Sequence, residues 1–180
     1  MGRRSAFKLD VVSVRLVKES SVPSDKKINS PEDAVHLMGN LLCEMDRETV
    51  CVINLKTDGT PINSTFASMG ALNYCMIEPR EMLKASILSN ASQIVLMHNH
   101  PSGRLVPSKA DVNMTDRMQR VCELVGIPLV DHVIVGGDNQ EYFSFKEKGI
   151  VRNQVMRYQD DYQYLEWEPA VEREKGKGGR

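Results

Sequence analysis

Two histidines and an aspartate stand at a spacing that is typical of a metal site. His98 and His100 are separated by one residue at the end of an apolar run, and Asp111 follows a short loop. Alternate residues of an extended chain project to the same side, so both imidazoles can bind one ion. Imidazole nitrogen and carboxylate oxygen suit Zn²⁺, and three protein ligands leave a fourth position for water. The pattern therefore predicts one catalytic zinc ion, although iron or manganese would accept the same ligands.

A hydrolytic zinc site also needs a proton carrier and a group that stabilises negative charge. A carboxylate can take a proton from water and deliver it to a leaving amine, and a hydroxyl such as that of Ser108 can stabilise an oxyanion.

Purely structural roles would also explain these residues. Ser108 and Asp111 form a Ser-x-x-Asp sequence, which is a helix-capping pattern that alone would explain both residues. Likewise, His98 and His100 could be loop histidines that bind only backbone carbonyls.

The full motif resembles that of the JAB/MPN (JAMM) metallopeptidases, in which H-x-H is followed by seven residues, a serine, two residues and an aspartate. Several longer stretches resemble the RadC branch of that family: His98-Asn99-His100-Pro101-Ser102-Gly103, Pro107-Ser108 with Asp111, Pro79-Arg80-Glu81, and Asp131-His132 with Gly136. The resemblance covers roughly residues 46–149. It implies a three-layer, cytidine-deaminase-like α/β fold, one zinc ion bound by His98, His100 and Asp111, and Ser108 on the oxyanion side.

The resemblance also implies that a glutamate opening an early strand acts as the catalytic base. Glu48 precedes the hydrophobic run Thr49–Leu55 and fits that position. Glu81 ranks second because it lies at a helix start, and Glu44 ranks third because it would sit on the preceding helix. The expected activity is hydrolysis of a peptide, isopeptide or related amide bond, with a peptide or modified protein as substrate.

The elements that must position these residues alternate between strands and helices. Periodicity predicts strands at Leu9–Lys18, Thr49–Leu55, Pro61–Ala67, Asn73–Ile77, Ser92–Met97, Leu129–Val135 and Glu141–Phe145. Capping and spacing predict helices at Pro31–Met45, Pro79–Leu88, Ser108–Leu124 and Arg152–Trp167. This order indicates a mixed β-sheet flanked by helices. We expect a strand and connector over residues 1–29, the catalytic domain over 30–150, and a peripheral helix with a disordered charged tail over 151–180.

Composition restricts the other functions that the chain could have. The formal net charge is −1 and no apolar run is long enough to span a membrane. The four cysteines include no C-x-x-C pair, which favours reduced thiols and a cytoplasmic location.

The alternative to a hydrolase is a DNA-repair or mobile-element accessory protein that binds nucleic acid, with a structural or vestigial metal site. The near-neutral charge argues against it, as does the expected lack of the helix–hairpin–helix module that precedes this domain in longer RadC relatives.

Two further interpretations concern residues near the motif. A nucleobase deaminase would need H-x-E and P-C-x-x-C, which the sequence does not contain. Asp131 and His132 could support a zinc-bound imidazole, whose second nitrogen usually donates to an acceptor. They could equally be a buried pair at a strand end that is satisfied locally.

Overall fold

A computed structural model describes residues 11–69, 78–137 and 141–152 of the chain. Within these ranges the helices are α1 (Pro31–Cys43), α2 (Pro79–Leu88) and α3 (Lys109–Val125). The strands are β1 (Thr49–Leu55), β2 (Pro61–Met69), β3 (Gln93–Asn99), β4 (Leu129–Val135) and β5 (Tyr142–Ser144). In the same ranges, no helix is both long and apolar enough to cross a lipid bilayer.

The strands form one mixed sheet in the order β2-β1-β3-β4-β5. β1 and β2 form an antiparallel hairpin, and β1 also pairs with β3 in antiparallel fashion. β3 and β4 are parallel because α3 connects them as a crossover, and β5 is antiparallel to β4. The sequence prediction of a mixed sheet with flanking helices is therefore confirmed, and β3 is its central strand.

The central strands are apolar on both faces because helices cover both sides of the sheet. On one face, Val52 and Leu96 pack with Met82 of α2 and Met118 of α3. On the other face, the alternate strand residues pack against α1, as in the cluster of Ile53, Met97, Met38 and Leu42. Because neighbouring residues of a strand point to opposite faces, each position of β3 is assigned either to the α2/α3 side or to the α1 side.

The helix ends follow the capping chemistry that the sequence predicts. Ser30 caps α1 and Ser108 caps α3, and in each case the carboxylate of the aspartate three residues later accepts a hydrogen bond from the backbone amide of the serine. α3 ends at Gly126, whose φ of 78° is the left-handed conformation that glycine adopts without steric cost.

One predicted strand is wrong in the part that the structure describes. Residues 11–18 of the predicted strand Leu9–Lys18 have no regular secondary structure, and the side chains of Val11 and Val17 are 98% and 84% exposed. Alternating apolar residues predict a strand only where a neighbouring strand and a core are present to pair with them. The predicted strand Asn73–Ile77, the tail over 169–180 and all but the first residue of the helix Arg152–Trp167 lie outside the described residues.

Candidate metal centre

The end of β3 and the start of α3 bring the predicted ligands together. His98 continues the row of Ile94 and Leu96 on the α2/α3 side of the sheet, and His100 follows it on the same side. Asp111 lies in the first turn of α3, with its carboxylate close to both imidazoles. The loop between β3 and α3 therefore folds the carboxylate back onto the two imidazoles.

The three side chains have the separations of a tetrahedral metal shell. The Nε2 atoms of His98 and His100 are 3.0 Å apart. Oδ1 of Asp111 lies 3.3 Å from Nε2 of His98, and its other oxygen, Oδ2, lies 3.6 Å from Nε2 of His100. Ligand atoms at about 2.0–2.1 Å from a tetrahedral zinc ion stand about 3.3 Å from one another, and the observed distances bracket this value. The donor set thus fits one zinc ion.

Glu48 joins the same cluster from the neighbouring strand. Val50 of β1 pairs with His98 of β3 in antiparallel register, and extending this register by two residues sets Glu48 opposite His100. Ligand atoms of Glu48, His98, His100 and Asp111 all lie within 4.8 Å of one another. Glu48 is exposed whereas His98 and Asp111 are buried, so Glu48 stands on the solvent side of the cluster.

The two glutamates that ranked below Glu48 lie elsewhere in the described structure. Glu81 is in the first turn of α2, where its carboxylate accepts a hydrogen bond from Lys84 at 2.6 Å. Glu44 is the exposed C-cap residue that follows α1. Neither belongs to the cluster of potential ligands.

The electrostatics of the cluster suit a divalent cation. Burial lowers the pKa of His98 to about 4, so this imidazole is neutral at physiological pH. Burial opposes ionisation of Asp111, but its contacts with His100, His98 and Ser108 together hold its pKa below its usual range. Glu48 is exposed as a residue, but its carboxyl is partly buried, and this partial burial together with the nearby charge of Asp111 raises its pKa. Contact with Asp111 raises the pKa of His100, so metal binding there competes with a proton.

His132 of β4 contacts the site, and Asp131 does not. His132 Nε2 lies 2.8 Å from Nδ1 of His98, and His132 Nδ1 lies 2.7 Å from Oγ1 of Thr115. Asp131 instead accepts hydrogen bonds from Ser144 Oγ and from the backbone amides of His132 and Lys146. His132 thus contacts a predicted zinc ligand, as the first interpretation of the Asp-His pair expects. Asp131 is satisfied by local partners, as the second interpretation expects.

Asn99 is a buried polar residue that the sequence reasoning missed. It lies between the two histidines and therefore points to the opposite, α1 side of the sheet. Its Oδ1 accepts a hydrogen bond from the Thr49 amide at 2.8 Å, and its Nδ2 donates to the carbonyls of Arg47 and Met45 at 3.2 and 3.4 Å. It therefore holds the backbone on both sides of Glu48. Its position between the two histidines could have revealed this role. The side chain between two strand residues that share a face points to the opposite face, so Asn99 needs hydrogen-bond partners away from the metal centre.

Ser108 has the capping role that the sequence left open. Its Oγ accepts a hydrogen bond from the Asp111 amide at 3.2 Å, and its own amide donates to Oδ2 of Asp111 at 2.6 Å. The capping box therefore orients the Asp111 carboxylate. Because the hydroxyl accepts in this bond, its proton is still able to donate to another group.

Comparison with known proteins places this arrangement in a family. The family description "RadC-like JAB domain" matches residues 28–150. A UPF0758 protein of Desulfitobacterium hafniense (strain DSM 10664 / DCB-2) is 41% identical over 124 residues, which cover 69% of this chain and 54% of that protein. A UPF0758 protein of Rubrobacter xylanophilus is 37% identical over 144 residues, covering 78% of this chain and 62% of that protein.

The chain thus spans only part of the length of these relatives, and about half of the first of them. The matched region contains every described helix and strand together with Glu48, His98, His100 and Asp111. The protein therefore belongs to the RadC-like JAB domain family.

Proposed function

We propose that the chain is a zinc-dependent hydrolase of the JAMM type that cleaves a peptide, isopeptide or related amide bond. The observation that carries the proposal is the convergence of two imidazole nitrogens and a carboxylate at tetrahedral spacing, with a further carboxylate on the solvent side. A structural zinc site would close the shell with four protein ligands in the interior. Here the fourth group is exposed and is free to serve the reaction instead.

In this proposal His98, His100 and Asp111 hold one zinc ion. Zinc supplies the Lewis acidity that activates water and polarises a carbonyl at neutral pH. The rest of the chemistry belongs to protein side chains. His98 and Asp111 are buried whereas Glu48 is exposed, so Glu48 is the member of the cluster most open to an approaching substrate.

Glu48 acts in this proposal as the proton carrier. Its carboxylate accepts a proton from the attacking water and returns it to the leaving nitrogen. Burial and the charge of Asp111 raise its pKa, which strengthens the carboxylate as a base. Asn99 fixes the backbone of Glu48, and the Ser108 hydroxyl has a proton to donate towards a developing oxyanion.

The experiment is a measurement of zinc content and hydrolysis on one set of variants. The full chain is loaded with Zn²⁺, desalted and measured by mass spectrometry, and then incubated with quenched-fluorescence peptides and lysine-linked isopeptides. We expect about one zinc per chain, together with hydrolysis that a chelator abolishes and added Zn²⁺ restores. His98→Ala removes a ligand and should lose both properties.

His36→Ala is the matched control, because His36 is an exposed histidine on α1. It should bind zinc and hydrolyse substrate like the wild type. Zinc at background level in the loaded wild-type protein would refute the site. Zinc binding with no hydrolysis of either substrate class would refute the proposed activity and leave the site standing.

A further inference from the structure

A continuous set of hydrogen bonds, called the relay below, links His98 through His132 and Thr115 to the backbone carbonyl of Asp111 in α3. Nδ1 of His98 lies 2.8 Å from Nε2 of His132, and Nδ1 of His132 lies 2.7 Å from Oγ1 of Thr115. Oγ1 of Thr115 in turn donates to the carbonyl oxygen of Asp111 at 2.7 Å. His98 and His132 are fully buried, and Thr115 is 1% exposed, so solvent does not supply alternative partners.

The carbonyl at the far end fixes the direction of every bond in this set. A carbonyl oxygen only accepts, so the single hydroxyl proton of Thr115 must point to Asp111. Oγ1 of Thr115 can then only accept from His132, which places a proton on Nδ1 of His132. A neutral His132 consequently has a lone pair on Nε2, and this lone pair accepts a proton held on Nδ1 of His98.

The remaining nitrogen of His98 is the one that faces the metal centre. With its proton on Nδ1, a neutral His98 presents the lone pair of Nε2 to Asp111 and His100. The opposite tautomer would put a hydrogen atom at that position and block coordination.

The ring of Phe145 stacks on the ring of His132, with 4.6 Å between the ring centroids and an interplanar angle of 9°. This stacking holds His132 in the orientation that the relay needs. It also provides an apolar surface that disfavours a charged His132 ring.

We propose that Thr115 and His132 are positioning residues that fix the tautomer of His98, so that its Nε2 is preset to bind a metal ion. The inference rests on the proposed function only in taking His98 as a ligand. It assigns roles to two residues that touch neither the metal nor the substrate. Loss of an outer partner of this kind weakens metal binding by about 10–100-fold in other sites.

The test uses Thr115→Val, which removes the hydroxyl while keeping the shape of the side chain, and Thr115→Ser, which keeps the hydroxyl. Zn²⁺ affinity is measured by competition with a chromophoric chelator. We expect binding to Thr115→Val to be about 10–100-fold weaker than to the wild type, whereas Thr115→Ser should bind like the wild type. His132→Phe, which retains a flat ring against Phe145, should weaken binding to a similar degree. Thermal unfolding of each variant shows that it is folded.

A second measurement reads the tautomers directly. Long-range ¹H–¹⁵N correlation spectra of the chelator-treated wild-type protein at neutral pH should show His98 and His132 protonated at Nδ1 and bare at Nε2. In Thr115→Val, His132 should populate both tautomers. A wild-type His98 protonated at Nε2, or a folded Thr115→Val with wild-type tautomers and zinc affinity, would overturn the relay.

These outcomes separate the relay from the proposed activity. Wild-type protein with the expected tautomers and zinc affinity, but without hydrolysis, supports the relay and counts against the activity alone. Hydrolysis by a protein whose His98 is protonated at Nε2 before zinc is added counts against the relay alone.

Discussion

Asn99 accepts a hydrogen bond from the backbone amide of Thr49 at 2.8 Å, and this bond ties the central strand β3 to the residue that follows Glu48. The same side chain donates to the carbonyls of Arg47 and Met45. One buried amide thus satisfies backbone groups on both sides of Glu48. Since β3 also carries His98, the histidines and the proposed base are positioned by a common element.

We expect Asn99→Ala to lower the free energy of unfolding by about 1–3 kcal/mol, because it leaves the buried Thr49 amide without its acceptor. Hydrolysis should fall at temperatures where the variant is folded, because Glu48 is no longer held, while zinc content stays at the wild-type level. Exchange of the Thr49 amide with deuterium should accelerate. Chemical denaturation, zinc analysis and amide exchange measure the three effects.

The control for this prediction is Asn54→Ala, which removes another buried asparagine from the adjacent strand β1. The Asn54 amide donates to Oδ1 of Asn63 within the β1–β2 hairpin, away from the metal centre. Asn54→Ala should keep wild-type hydrolysis whatever it does to stability. Full hydrolysis in folded Asn99→Ala would show that Glu48 needs no support from Asn99.

The assignment of the base leads to a second prediction. Glu48→Gln should lower the hydrolysis rate by about 10²–10⁴-fold without loss of zinc, since His98, His100 and Asp111 remain. Glu81→Gln is the matched control because Glu81 is an acid of the same type whose partner is Lys84. It should hydrolyse substrate at the wild-type rate. The two variants are compared by steady-state kinetics at equal zinc content. A wild-type rate in Glu48→Gln with a reduced rate in Glu81→Gln would refute the assignment.

Sequence alone predicted the parts of the site that depend on local geometry. His98 and His100 share a face because strand side chains alternate, and Asp111 belongs to a capping box that Ser108 and Asp111 define within four consecutive residues. The neighbours of Glu48, by contrast, depend on the register between β1 and β3, which no local pattern encodes. For that reason Glu48 could be selected only through the family resemblance.

The same distinction explains what the sequence did not reveal. The sequence left the role of His132 open and gave no sign of Thr115, because these two side chains meet only where α3 packs on β4. The strand predicted at Leu9–Lys18 is wrong for residues 11–18 because alternation shows only that a strand could form there. Whether it forms depends on a free sheet edge and on apolar surface to cover, and these are properties of the whole fold.

The raised pKa of Glu48 leads to a third prediction, on stability and pH. Burial and the charge of Asp111 raise this pKa in the folded protein, so the folded state binds the proton more tightly than the unfolded state does. The ionised carboxylate therefore reduces stability once the pH rises above the ordinary glutamate pKa of about 4.3. Glu48→Gln removes this unfavourable charge.

In chelator-treated protein, Glu48→Gln should thus unfold at a higher denaturant concentration than the wild type at pH 7. The difference should shrink as the pH falls through the ordinary glutamate range, where the wild-type carboxyl is protonated as well. Urea unfolding at several pH values measures this trend. A difference that grows towards acid pH would mean that Glu48 is stabilised, not opposed, by its neighbours.

The fourth prediction separates the two roles of Ser108. Its hydroxyl caps α3 by accepting a hydrogen bond from the Asp111 amide, and it is also proposed to donate towards an oxyanion. Ser108→Ala should lower the free energy of unfolding by about 1 kcal/mol, whereas Ser108→Gly should lower it by only a few tenths, because glycine is tolerated at a helix N-cap. Thermal and urea unfolding compare the two.

Hydrolysis should respond to the hydroxyl and not to the cap. If Ser108 contributes to the oxyanion site, kcat should fall by about 10²–10³-fold in both Ser108→Ala and Ser108→Gly, although only the alanine variant loses much stability. Ser30→Ala is the matched control, because Ser30 forms the same capping box with Asp33 on α1, away from the cluster of potential ligands. It should lose stability as Ser108→Ala does and keep kcat. Wild-type kcat in Ser108→Gly would reduce the role of Ser108 to orienting Asp111 through the cap.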